Sequence, residues 1–194
     1  NPNTKQQPAL DAMQEYANVG GRVFASHWHN IWVSGNFENN NPNLAPAEWK
    51  DLVDWNSTNN FNGNVTIDEV NNPKGMLFAD WMVNVGASPA MRGLFDVQEG
   101  RTTAQTIADT TKVERWVVRD DHPQMFQFTT PVNVTPDQKC GKVVFTDMHV
   151  SGSSNNSDYP NNCVGGANNL NLTPQEKALA FMFFDIASCA GGLF

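Results

Sequence analysis

The chain reads as a single α/β domain, and three features of its 194 residues carry that expectation. Two segments each open on glycine, run through a short apolar strand and end in histidines: Gly21 to His29 and Gly141 to His149. An amphipathic helix and a Gly20-Gly21 break precede the first of them, which is half of a βαβ unit. Near its end the chain carries Thr173-Pro174-Gln175-Glu176, a capping box with proline at the first helical position, which opens one more helix.

The elements follow in order. Ala9, Leu10, Met13, Tyr16 and Ala17 form an i, i+3, i+4, i+7 stripe that predicts a helix from Pro8 to the Gly20-Gly21 stop. Val23-Phe24-Ala25 is a short buried strand. Residues 34–72 read as a long Asn-rich insertion of the kind that covers or shapes a site. Within it, Ala47, Trp49, Leu52 and Val53 suggest a short helix from Pro46 to Trp55. Met76, Leu77, Trp81 and Val85 predict a helix over 74–85 that ends at Gly86. Weaker β signals lie at 94–97, 113–118 and 125–128, the last two pairing as a hairpin around Asp120-Asp121-His122-Pro123. Gly141 to His149 is the strongest strand, and the final helix runs to about Ser188. No internal repeat and no linker divides the chain.

Composition removes several functions. The formal charge is −8 and the pI about 4.8, with 12 Lys and Arg against 20 Asp and Glu, and the basic residues never cluster. A nucleic-acid footprint is therefore missing, and an anionic membrane surface would repel the chain. The longest apolar stretch, Ala178 to Ala187, is interrupted by Asp185 and reads as a buried helix, not a membrane insertion. Few lysines with many Asn, Gly, Thr and Trp resemble the composition of secreted bacterial proteins. Of three cysteines, Cys140 and Cys163 bracket a loop that a disulfide would close, which leaves Cys189 for an external partner or a free thiol. Asn1 is not an initiator, so a processed chain is expected, with an N-terminal fragment or second chain as a partner through Cys189.

Three of the four histidines stand at the two strand ends. Ligands of open α/β sheets bind beyond the carboxyl ends of strands, and imidazole suits both metal ligation and proton transfer near neutral pH. If the two strands are neighbours, His27, His29, Asp147 and His149 converge. On an extended strand each i, i+2 pair shares a face, so the four could hold a divalent transition metal, Zn²⁺ first, with an open position for an activated water. A metal-free acid–base pair, with His27, Asp147 and His149 as the catalytic groups, is the other chemical reading. Trp28 and Trp32 flank the histidines and are candidates for stacking on substrate, a carbohydrate included. A nucleophilic serine lacks its G-x-S-x-G elbow, and His122 sits in a turn-like sequence that a surface position explains. The function expected is thus an extracellular, metal-dependent hydrolase or related enzyme. The alternatives are a non-catalytic carbohydrate- or surface-binding domain and a structural subunit of an extracellular assembly.

Tyr16 to His29, Gly141 to Val150 and Leu172 to Leu179 resemble three signatures of uncharacterised secreted proteins and lipoproteins of myxobacteria and related bacteria. More distantly, the layout is similar to the class I glutamine amidotransferase-like superfamily, especially its ThuA-like branch. That resemblance implies a flavodoxin-like three-layer sandwich with a mostly parallel sheet, separated from or lacking an N-terminal portion. Its elbow after the first strand is here Ser26-His27-Trp28-His29, with no cysteine nucleophile, so glutaminase chemistry is disfavoured. His27 and His149 match the histidine places of the ThuA-like pattern.

Overall fold

The structure is a computed structural model that describes residues 5–35, 46–56, 59–148 and 172–188. Helix α1 (Gln7–Asn18) leads into strand β1 (Arg22–Ser26), then a 3-10 turn (His27–Asn30) and a single helical turn, α2 (Ile31–Ser34). Strands β2 (Val53–Trp55) and β3 (Asn60–Ile67) precede helix α3 (Gly75–Asn84). Strands β4 (Leu94–Arg101), β5 (Ala104–Ile107), β6 (Val113–Arg119), β7 (His122–Thr130) and β8 (Gly141–Thr146) follow, and helix α4 (Pro174–Ala187) is the last described element. No described helix is long and apolar enough to cross a membrane.

Six strands form one sheet in the order β1-β8-β7-β6-β3-β4, and β2 pairs with β5 in a separate ribbon. Only β1 and β8 are parallel; every other neighbouring pair in the sheet is antiparallel. This overturns the flavodoxin-like, mostly parallel sandwich: the sheet is mixed and curls into a half-barrel. The physical reason lies in the connections. Parallel neighbours need a crossover that carries the chain back, whereas β6 turns straight into β7 at Asp120-Asp121, with Arg119 opposite His122.

The segment 34–72 is also not an uninterrupted loop. Its later half contributes β3, which is inserted between β4 and β6. Phe61, Gly63, Val65 and Ile67 alternate with exposed residues along it. The helix expected over 46–55 is replaced by turns and by β2, because Trp49, Leu52 and Val53 all bury into the sheet.

Each face of the sheet carries its own core. On one face α3 and α4 pack Phe78, Met82, Ala178 and Met182 against Phe95, Trp116, Val117 and Val144. On the other, α1, the turn before β2 and the β2–β5 ribbon bring Ala17, Trp49, Val53 and Ala104 onto Phe126, Phe128, Val143 and Phe145. Trp55 of the ribbon meets the Phe145 ring edge-on at 5.1 Å. All six residues of β8 are buried, with Val143 and Phe145 on one side and Val144 on the other.

The glycines that open β1 and β8 have a common cause. The last turn of α1 lies across both strand starts. A Cβ on Gly21 would come within 2.4 Å of the Tyr16 carbonyl oxygen, and one on Gly141 within 1.8 Å of the Ala17 carbonyl oxygen. At the far end, the capping box of α4 forms as expected, with the Thr173 side chain accepting from the Glu176 amide. The C-terminal end of α4 is held by cations, as its dipole favours. Buried Lys142 donates to the Asp185 carbonyl at 2.9 Å and to its carboxylate at 3.0 Å, and Arg22 Nε donates to the Ile186 carbonyl at 2.8 Å.

Candidate functional site

The parallel pairing of β1 and β8 aligns Ser26 with Thr146, so the residues that follow, His27 and Asp147, leave neighbouring strand ends on the same side of the molecule. By strand alternation both continue the rows Val23–Ala25 and Val143–Phe145, which face the core beneath the β2–β5 ribbon. His27 then departs from the strand. Its φ is +48°, the left-handed region that a non-glycine residue rarely adopts, and it starts the 3-10 turn.

That turn changes the expected histidine geometry. Residues two apart on a 3-10 turn are separated by roughly 240°, so His27 and His29 do not share a face as they would on a strand. His27 is half-buried and His29 exposed. Trp28 occupies the same turn. Trp32, on α2, lies in a different place, in the groove between α1 and β1, where the Lys5 ammonium sits 4.9 Å from its ring centre. His149, Cys163 and Cys189 lie outside the described residues, as does the rest of 149–171. Cys140 is exposed and in no disulfide among the described residues. Among those residues no three His, Cys, Asp or Glu side chains are grouped to hold a metal ion.

Asp147 is the chemically unusual member. Its exposure is 0 %. The link between β4 and β5 clamps it: the Ala104 amide donates to Oδ2 at 2.8 Å, and the Arg101 amide donates to the Asp147 carbonyl at 3.0 Å. The other carboxylate oxygen, Oδ1, is buried with no hydrogen-bond partner among the described residues. Burial pushes the carboxyl up to about 7, against a smaller downward pull from the Ala104 amide, the polar groups of Thr103 and the Arg101 charge.

Gln124 is the neighbour that the sequence did not single out. Its carbonyl accepts from the Asp147 amide at 2.9 Å and its Nε2 donates to the Arg101 carbonyl at 2.9 Å, while Oε1 is buried without a partner among the described residues. A signal existed: a glutamine directly before the apolar run Met125-Phe126 is a polar residue in a buried strand. Thr103, buried in the chain linking β4 to β5 and interacting with Asp147, gives no such signal.

A second carboxylate shows what a satisfied one looks like. Asp68 accepts from the Asn71 amide at 2.9 Å and from Arg115 Nε at 2.8 Å and Nη2 at 2.7 Å. Burial would raise it, but Asn71 and Arg115 outweigh burial and hold it below the usual carboxylate range. It lines an open pocket of about 550 Å³ with Thr106, Thr110 and Asp121, and its bonds tie the 68–72 turn to β6. Asp147 lacks that satisfaction, which marks it as the functional candidate.

No protein-family model, no curated protein and no solved structure matches this chain.

Proposed function

We propose that the chain is a hydrolytic enzyme whose acid–base pair stands at the ends of β1 and β8, with Asp147 as the proton-transferring group and His27 beside it. The observation that carries this reading is the buried Asp147 carboxyl with one oxygen bonded to the Ala104 amide and the other left without a partner among the described residues. A carboxyl in that environment is still partly protonated near neutral pH and can deliver its proton to a leaving group, while an imidazole at the neighbouring strand end can accept one from water. The left-handed backbone at His27 supports the reading, since strained residues concentrate at functional sites. In its metal-dependent form the same site would add His149 and a Zn²⁺ ion to the pair.

The test is a panel of chromogenic esters, phosphoesters and glycosides, assayed over a pH range with Asp147→Asn and His27→Gln alongside. Turnover that falls at least about 100-fold in Asp147→Asn, and loses one limb of its pH profile, supports the pair. Turnover that both variants retain removes it. Elemental analysis of the native protein and of His149→Ala separates the two forms: one transition metal per chain, lost in the variant, selects the metal-dependent one.

A further inference from the structure

We propose that two copies of this chain pair through the β1 edge, antiparallel across a two-fold axis at Phe24, so that the two sheets become one. The inference is independent of the chemistry at Asp147 and rests on how the two ends of the sheet differ. The β4 edge is blunted at its middle: the Gln175 side chain accepts from the Gln98 amide at 3.0 Å and donates to the Gln98 carbonyl at 2.8 Å, taking the place a neighbouring strand would have there. Proteins blunt their edges in such ways because an open edge recruits strands. The β1 edge has no such cover among the described residues.

The register says which groups β1 offers. Gly21 accepts from the Lys142 amide at 3.1 Å, so in the parallel ladder Gly21, Val23 and Ala25 direct their backbone groups toward β8. Arg22, Phe24 and Ser26 therefore direct theirs outward. An antiparallel copy centred on Phe24 sets Phe24 against its own counterpart and Arg22 against Ser26 on each side. Every outward N–H and C=O of the strand then finds a partner, which is the self-complementarity that a two-fold interface requires.

The flanks of the edge fit the same partner. On one side lies an open, mostly apolar groove of about 540 Å³ between α1 and β1, lined by Ala12, Met13, Tyr16, Phe24 and Trp32 among others. On the other side Phe183 of α4 packs on Phe24 at 5.4 Å and remains 51 % exposed, with Phe184 beside it 71 % exposed. Charge selects a second copy over an unrelated apolar strand. Lys5 sits at the Trp32 end of the groove, whereas Glu15 precedes Tyr16 at the Arg22 end. A two-fold axis at Phe24 brings Lys5 of one copy toward Glu15 of the other, twice.

Sedimentation velocity and native mass spectrometry of the full chain, from nanomolar to tens of micromolar, test this directly. The expected result is a dimer that weakens roughly tenfold or more in Ala12→Glu, whose substitution sits on the exposed side of α1 and leaves the fold intact. Glu15→Lys and Lys5→Glu should each weaken association, and the double reversal should restore it. Hydrogen exchange adds a reading on the backbone itself: the amides of Arg22, Phe24 and Ser26 should become protected as concentration rises. A chain that stays monomeric across that range overturns the proposal. So does a dimer whose Phe24 amide exchanges as fast as in dilute protein, or one indifferent to all three charge variants.

Discussion

At the scale of single residues, Asp147 sets a pH dependence whose sign follows from its burial. Its folded carboxyl titrates near 7, while an unfolded Asp titrates near 4. Between those values the folded state holds the proton more tightly, so stability is fully present below about pH 4 and is lost as pH rises toward 7. Asp147→Asn removes that titration and still offers an acceptor to the Ala104 amide. The variant should therefore unfold at higher denaturant than the parent at pH 8 by up to roughly 4 kcal/mol, and the gap should close by pH 4. Urea titrations at the two pH values check this; a gap that is the same at both would mean that Asp147 is ionised freely in the folded chain. Asp147 was legible in the sequence because a carboxylate ending an apolar strand is conspicuous. Gln124 and Thr103 were not, since their role depends on a cross-strand neighbour and on the link that joins β4 to β5, neither of which a linear reading supplies.

At the scale of elements, the contact between α1 and the sheet makes a sharp demand on two glycines. Alanine at Gly141 would place its Cβ against the backbone oxygen of Ala17, which cannot rotate away as a side chain would. Gly141→Ala should lower stability by about 3 kcal/mol, seen as a fall in Tm, whereas the same change at Gly63, where nothing lies within 4 Å, acts only through its φ of +137°. The two glycine-led strands were the clearest pattern in the sequence, yet their reason was hidden: a helix that crosses both. Elements with strong local signals were read correctly for the same physical cause that makes them stable alone, as in the capping box of α4. β3 is hidden in the sequence because its Asn and Gly content resembles a loop, and only Val65 and Ile67 bury fully. A strand continuing through His27 and His29 would set both on one face, but the left-handed φ at His27 ends the strand at Ser26, and that φ is decided by the chain that follows.

For the whole molecule, strand identity proved easier to read than strand direction. Five of the sheet's six strands are recognisable in outline from apolar runs or alternation, but β1 and β8 are the only parallel pair among the described residues, and the hairpin through β6 and β7 sets the rest antiparallel. Local composition carries burial; it does not carry the path by which the chain returns. The position of β8 has one more consequence. It is the common wall of both cores, buried along its whole length, and it anchors α1 through Gly141 and α4 through Lys142. Neither half of the molecule can open without baring that strand, so the chain should melt in one calorimetric transition, not two. The amides of Val143 to Phe145 should be the last to exchange with solvent, at a rate governed by global unfolding alone.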